Sequence, residues 1–249
     1  MVSCDKFREI DSGLGSGHND STRVNERIDV DSVNVPDEAA HLQRLFWEIL
    51  PRQDRADAMN PVGGTEDLQR AYRQCGVKAE HLPYSITMFP YLGSVRCAMV
   101  FGLVFGLTSA VYSFNRVSQF LNFVGRACFF LVLYHYFDDF LQVENSPNAG
   151  LAKDILRRIC RAGGWKLDDG KSVELSRSFR WLGIMKKSQG GKHPKVVSSI
   201  VPKRRKKLLT LLDHYLRMEP DREGVMRYVG DMSSAEAASR PGGGGIAAP

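Results

Sequence analysis

Cysteine is scarce and scattered in this chain. The five cysteines stand at Cys4, Cys75, Cys97, Cys128 and Cys160, and none of them forms a Cys-x-x-Cys pair. Disulfide frameworks and structural zinc sites need paired or closely spaced cysteines. The sequence therefore argues against both and predicts a reducing intracellular compartment, cytoplasmic or nuclear.

The N-terminus lacks a basic stretch followed by an apolar one, so no secretory signal is predicted. A single long run without charge covers residues 97–114 and contains Gly102 and Gly106. Such a run is typical of a transmembrane helix with a Gly-xxx-Gly face. A strand over 96–105, followed by a buried helix that begins near Thr108 or Ser109, explains the same hydrophobicity. We favour this second interpretation and expect no membrane partner.

Composition is that of a globular protein with an uneven charge. The 249 residues are 43% hydrophobic and 25% charged, enough for one or two domains with a real core. The net charge is +6, yet residues 1–38 are acidic, so the rest of the chain is strongly basic. A basic body favours a polyanionic partner such as nucleic acid. A solvated basic surface without a partner is the alternative.

Two adjacent carboxylates, Asp138 and Asp139, lie inside the apolar run 128–143. Carboxylates in such surroundings are costly unless their charge is compensated. The apolar residues on both sides predict two short strands that meet near the pair. Ligands that are all oxygen indicate Mg²⁺ or Mn²⁺. The alternative is a hairpin turn with solvated carboxylates.

Four more segments accompany this pair, at residues 67–74, 105–116, 171–173 and 179–183. They read DLQRAYRQ, FGLTSAVYSFNR, KSV and FRWLG. Together with the Asp pair, and in this order, they resemble palm motifs A to E of reverse transcriptases, most closely those of gypsy and DIRS-like retrotransposons. The resemblance covers about residues 60–230. Each motif is short, and the specificity lies in their common order.

The resemblance implies an α+β fold: a right-hand polymerase palm with a ferredoxin-like β-α-β-β-α-β core, partial fingers and a truncated helical thumb. We expect four regions. Residues 1–38 form a disordered acidic segment, 39–194 the partial fingers and palm, 195–236 a thumb-like basic helical segment, and 237–249 a disordered Gly-rich tail.

Hydrophobic periodicity predicts the elements in more detail. Helices are expected over 39–59, 108–126, 149–162 and 203–218, and strands over 84–91, 95–104 and 173–184. Residues 60–65 read as a turn, where the family has an apolar strand.

The implied activity is RNA-directed DNA synthesis from dNTPs on a template–primer. In this family, converging carboxylates hold two metal ions, Mg²⁺ or Mn²⁺, and the resemblance assigns that role to Asp67, Asp138 and Asp139. It assigns Lys171 as the acid that protonates the leaving pyrophosphate. Asp67 as a helix N-cap and Lys171 as a surface lysine are the simpler alternatives.

Nucleotide binding is implied for three residues. Tyr72 corresponds to the aromatic residue that excludes a ribose 2′-hydroxyl, and it is equally interpreted as a core tyrosine. Phe105 and Gly106 correspond to the place where backbone approaches the nucleotide, which a residue without a Cβ permits. A plain strand-to-helix turn is the alternative for that pair.

Nucleic-acid contact is implied for two further segments. Trp181, Leu182 and Gly183 resemble the primer grip, with an ordinary core strand as the alternative. The basic run of Lys203, Arg204, Arg205, Lys206 and Lys207 resembles the start of a thumb that touches the template–primer backbone. A nuclear localisation signal and a solvated helix end fit the same run.

The sequence also departs from the family pattern. Val104 and Val111 replace two prolines beside the second motif, and Arg52 and Arg55 are the only nearby candidates for binding a triphosphate. No RNase H, protease, integrase or recombinase signature is present, and the resemblance implies RNase H, integrase or recombinase domains as partners expected outside this chain. An active polymerase and a nucleic-acid-binding relic without activity both remain open.

Overall fold

A four-stranded antiparallel sheet forms the centre of the protein. The structure, a computed structural model, describes residues 17–23, 25–49, 51, 60–191 and 195–217. The sheet contains β1 (Pro61–Asp67), β4 (Leu133–Tyr136), β5 (Asp139–Asn145) and β6 (Val173–Ser176), in the order β4-β5-β1-β6. The chain is therefore a mixed α+β protein, as the sequence predicts.

Two helices connect these strands and cover one face of the sheet. They are α3 (Thr108–Phe129), between β1 and β4, and α4 (Ala149–Ala162), between β5 and β6. Phe114 and Leu121, two turns apart on α3, pack with Leu156 of α4 and with Leu133 and Phe140 of the sheet. These side chains are almost fully buried, so this layer is the main hydrophobic core.

The opposite face is covered by a helix and by a second sheet. Helix α1 (Val35–Ile49) and strand β7 (Ser178–Trp181) bring Val35, Ala39 and Trp181 against Leu141 and Val143 of β5. Strand β7 pairs with β8 (Ile184–Gln189), and β8 pairs with β9 (Lys195–Ile200). Because β9 belongs to this sheet, the predicted boundary between residues 194 and 195 falls inside one unit.

The remaining elements flank this centre. A single-turn helix α2 (Ala71–Gln74) follows β1, and a two-stranded hairpin is formed by β2 (Ile86–Tyr91) and β3 (Ser94–Met99). Helix α5 (Pro202–Arg217) carries the basic run. The charge-free run 97–114 is shared between the end of β3, a loop and the start of α3. No helix in the described part of the chain is long and apolar enough to cross a membrane.

Residues 61–67 form strand β1 rather than the predicted turn, and close packing on its two glycines explains why Val62 is its only large apolar side chain besides Pro61. A Cβ on Gly63 would lie 2.4 Å from the Phe179 ring, and a Cβ on Gly64 would lie 2.7 Å from the Val173 carbonyl oxygen. The strand is buried between β5 and β6 and packs against β7, so close approach replaces large side chains there.

The described part of the acidic segment packs against the sheet rather than remaining free. Asp31 makes two hydrogen bonds with the backbone of His135 in β4: its N–H donates to the His135 carbonyl at 2.9 Å, and its carboxylate accepts from the His135 N–H at 2.7 Å. The Trp181 indole donates to the Ser32 carbonyl at 3.0 Å. The sequence predicts disorder for 1–38 because the segment has no apolar periodicity, whereas the structure holds Asp31 and Ser32 through these polar contacts. Residues 1–16 and the predicted disordered tail 237–249 lie outside the described residues.

We expect Gly64→Ala to destabilise the protein by about 1–3 kcal/mol, because the new methyl group would press on backbone atoms of β6 that cannot turn away. Urea denaturation measures the change. The matched control is Gly150→Ala in α4, where nothing lies within 4 Å of the new Cβ and a helical alanine is favoured. Equal stability of the two variants would contradict the packing explanation for β1.

Candidate active site

The Asp pair stands at the tip of the β4–β5 hairpin, beside the end of β1. Phe137 takes a positive φ of 53° in the turn, and Asp139 begins β5 directly opposite Asp67, the last residue of β1. The Leu68 N–H donates to the Asp138 carbonyl at 3.2 Å, which ties the turn to the chain after β1. The three carboxylates predicted as metal ligands therefore come from adjacent strands and meet at one sheet edge.

Burial, reinforced by repulsion between the carboxylates, dominates the electrostatics at this end of the sheet. Burial, the charges of Asp138 and Asp67, and a hydrogen bond to Asp67 together raise the pKa of Asp139 to about 7, while Lys171 opposes the shift. Burial and the Asp138 charge also raise the pKa of Tyr72 to about 12. An excess of negative charge this close together requires a cation nearby.

Lys171 provides one such cation. Its Nζ donates to Asp67 Oδ1 at 2.6 Å and lies 3.8 Å from Asp168 Oδ2. Desolvation lowers the pKa of Lys171, but the hydrogen bond to Asp67 and the charges of Asp67, Asp168 and Asp138 outweigh it and raise the pKa overall. The loop holds its shape because Lys171 and Gly170 donate backbone hydrogen bonds to Asp168.

The donor set fits a hard divalent cation, although the carboxylates are not arranged as finished ligands. Within the described residues, no three acidic, histidine or cysteine side chains form a ready metal-binding group. The Lys171 ammonium contacts Asp67, where it compensates the negative charge that a metal ion would otherwise compensate. Asp67, Asp138 and Asp139 offer only oxygen donors, and their mutual repulsion would be relieved by Mg²⁺ or Mn²⁺.

A pocket of about 390 Å³ opens beside Asp138. Its walls combine predicted residues with others that the sequence did not single out: Tyr72, Phe105, Gly106, Leu107, Thr108, Val111, Phe137 and Asp138. Tyr72 stacks on Phe114 with ring centroids 4.7 Å apart and meets the edge of Phe105 at 5.3 Å. Tyr72 thus lines the pocket and also packs on the core residue Phe114.

Strand alternation explains a polar cluster that sequence reasoning missed. Glu66 precedes Asp67 and points to the helical face, where it is 2% exposed. It accepts hydrogen bonds from Arg157 Nε and Ser172 Oγ, each at 3.0 Å, and Lys153 Nζ lies 3.5 Å away. The spacing of Lys153 and Arg157, one helical turn apart on α4, was the available signal. This cluster links the end of β1 to helix α4 on the helical face of the sheet.

The predicted primer-grip segment is divided between core and surface. The Trp181 side chain is 1% exposed and packs in the core, as the alternative interpretation has it. Leu182 and Gly183 form the β7–β8 turn with φ values of 46° and 80°. The guanidinium of Arg204 lies close over this turn, since a Cβ on Gly183 would be 2.9 Å from Arg204 Nη1.

The basic run follows as the start of α5. Lys203, Arg205, Lys206 and Lys207 are exposed, and Arg204 is half-buried. The run therefore lies beside the turn of the β7–β8 hairpin, and not in the pocket. Arg52 and Arg55, the candidates for a triphosphate, lie outside the described residues.

Comparison with known proteins gives a likeness of fold. No protein-family model matches the sequence, and no curated protein matches it. Among solved structures, the foamy viral protease-reverse transcriptase in complex with dsDNA is similar with a TM-score of 0.57 and 12% identity, over 88% of this chain and 38% of that one. A second structure of that protein, described as dRH in complex with ds DNA, gives 0.53 and 13%, over 71% and 28%. This chain thus spans well under half the length of either, and its fold is similar to that of a reverse transcriptase.

We expect stability to depend on pH through Asp139. Because its pKa is raised from 3.8 to about 7, the folded protein binds more protons than the unfolded chain between these values, so this residue makes stability fall as pH rises from about 4 to about 7. Asp139→Asn removes this titration. The free energy of unfolding of the variant minus that of the wild type should therefore be larger at pH 8 than at pH 5. Urea unfolding in EDTA at both pH values measures this. The exposed Asp154→Asn is the control, and equal gains at both pH values would refute the expectation.

Proposed function

We propose that this chain is the palm of a retroelement reverse transcriptase of the gypsy or DIRS-like lineage, which synthesises DNA from dNTPs on an RNA or DNA template–primer. The observation that carries the proposal is the meeting of Asp67, Asp138 and Asp139 at one sheet edge, beside a pocket lined by Tyr72 and Gly106.

The topology supports a ferredoxin-like palm. The strands of the central sheet and the helices packed on it occur in the order β1, α3, β4, β5, α4 and β6, with α2 and the β2–β3 hairpin inserted between β1 and α3. The antiparallel sheet has the order β4-β5-β1-β6. This is the β-α-β-β-α-β arrangement that the motifs imply. The similar structures are of a reverse transcriptase with DNA, which favours a nucleic-acid partner for this chain as well.

Asp67, Asp138 and Asp139 would hold the divalent ions. When bound, such ions supply charge stabilisation for the attacking and leaving oxygens of nucleotidyl transfer. The chain's own residues would bind and orient the nucleotide. Tyr72 and Phe105 form an aromatic wall, and the backbone at Gly106 has no Cβ to obstruct a nucleotide. Lys171 is positively charged and within reach of the carboxylates, so it can deliver a proton to a pyrophosphate leaving the same edge.

A second candidate is a nucleic-acid-binding relic without activity. The observation that favours it is the Lys171 ammonium on Asp67, which satisfies the carboxylate without any metal ion. The exposed basic residues of α5 would still attract a phosphate backbone. The two candidates share the partner and differ in chemistry, so incorporation of nucleotides separates them.

We expect the wild-type chain to extend oligo(dT) on poly(rA) with Mg²⁺ or Mn²⁺, and Asp138→Ala to lower the rate by at least about 10²-fold, because it removes a carboxylate from the ion-binding edge. Primer extension measures both. Asp154→Ala, a surface carboxylate paired with Arg158 on α4, should leave the rate unchanged. Folded wild-type protein that incorporates nothing would exclude the polymerase and leave the relic.

Binding of template–primer should depend on salt through α5. We expect Lys203→Ala combined with Lys206→Ala to weaken binding and to reduce the slope of log K against log salt by about two, because each lysine releases roughly one counterion from the backbone. Fluorescence anisotropy at several salt concentrations measures the slope. The control is Lys78→Ala, which should leave the slope unchanged because Lys78 lies 3.8 Å from the carboxylate of Glu80 and outside α5. An unchanged slope in the double variant would remove α5 from the interface.

A further inference from the structure

An asparagine of the acidic N-terminal segment reaches the wall of the pocket. Asn19 Nδ2 donates to the Gly106 carbonyl at 3.1 Å, and Asn19 Oδ1 accepts from the Thr108 N–H at 2.8 Å. One amide group therefore bridges the two ends of a three-residue turn. Gly106, Leu107 and Thr108, which make up that turn, all line the pocket.

The bridge supplies what helix α3 lacks. Leu107 stands at the N-cap position and has no side chain that can accept a hydrogen bond from the first turn. The N–H groups at a helix start need outside acceptors, and asparagine is among the best. Here the acceptor comes from a distant part of the chain, so the start of α3 is fixed by the N-terminal segment.

The other half of the bridge acts on the glycine. Gly106 has a φ of 106°, in a region that other residues rarely adopt, so local sterics hold its peptide only weakly. The amide donor of Asn19 gives its carbonyl a fixed direction. Without that donor, the wall of the pocket next to Asp138 would have more freedom.

Asn19 itself is anchored on both sides. The Thr22 hydroxyl donates to the His18 carbonyl at 2.9 Å, and the Thr22 N–H donates to the Asn19 carbonyl at 3.2 Å, which makes a local turn. Further along, Glu26 pairs with Arg116 on α3, with Arg116 Nε 2.9 Å from the carboxylate. The segment thus follows α3 from its start and presents Asn19 from a held backbone.

We propose that Asn19 is a positioning residue for the nucleotide pocket: it sets the Gly106–Thr108 turn and thereby the affinity for the nucleotide. This rests on the proposed function, since it concerns the same pocket. Asn19 acts through the turn. The acidic segment, expected to be disordered, is on this proposal a structural part of the site.

Three variants separate the two halves of the bridge. Asn19→Ala removes both hydrogen bonds. Asn19→Asp keeps an acceptor for the Thr108 N–H, with a charge that suits a helix start, but it has no donor for the Gly106 carbonyl. Asn25→Ala changes an exposed asparagine of the same segment and serves as the matched control.

Two measurements on the full chain are needed. Hydrogen exchange at the Thr108 amide should be faster in Asn19→Ala but not in Asn19→Asp or Asn25→Ala. Calorimetric titration with dTTP in the presence of Mn²⁺ should give a Kd raised roughly fivefold in both Asn19 variants, the effect of about one hydrogen bond, and unchanged in Asn25→Ala. In primer extension, the same variants should raise KM for dTTP with little change in kcat.

The outcomes distinguish the two proposals. Unchanged exchange and unchanged Kd in Asn19→Ala would overturn the role of Asn19 and leave the polymerase proposal standing. Faster exchange with an unchanged Kd would also overturn it, because the turn would then be irrelevant to the nucleotide. No dTTP binding by the folded wild type would overturn the proposed function, and the role of Asn19 with it.

Discussion

Three carboxylates held at one edge of a buried sheet are the constraint on which the rest of the structure depends. Asp67 and Asp139 face each other at the ends of adjacent strands, and Asp138 occupies the turn between β4 and β5. Burial, together with the charges of Asp138 and Asp67, raises the pKa of Asp139 to about 7. Nearby cations compensate this charge. Lys171 pairs with Asp67, and on the helical face of the sheet Arg157 and Lys153 neutralise the neighbouring Glu66.

The same edge explains why β1 has its unusual sequence. Strand β1 lies between β5 and β6 and ends at Asp67, so it is packed closely on both sides. Gly63 and Gly64 permit this, because Phe179 and the backbone of β6 occupy the space that side chains would take. Sequence reasoning identified Asp67 and its partners by motif order, but it read the strand before Asp67 as a turn. Apolar periodicity cannot reveal a strand whose burial comes from neighbours that approach it.

Helices α3 and α4 and the Asp138 hairpin were predictable because their signals are local: apolar spacing, a turn and a pair of acidic residues. The contacts of the N-terminal segment were not, because they join residues that lie far apart in the sequence. Asn19 meets Gly106 and Thr108, and Asp31 meets His135, through polar groups that carry no periodic signal. Trp181 shows a different limit: its motif implied contact with nucleic acid and left a core strand as the alternative, and its ring lies in the core with its indole N–H bonded to the Ser32 carbonyl.

Lys171 connects the two functional candidates in physical terms. In the structure its ammonium compensates Asp67 at 2.6 Å, and Asp67 is one of the carboxylates that a divalent ion would need. An ion that carries two charges interacts more strongly with three clustered carboxylates than one ammonium does, and Lys171 is almost half exposed, so little packing opposes its departure. On the proposed function, binding of the ion to Asp67 would release Lys171 next to the reacting phosphates. A chain in which the lysine stays has a satisfied and inert edge. On the proposed function, the competition between Lys171 and a divalent ion for Asp67 would therefore separate an active polymerase from an inactive relic.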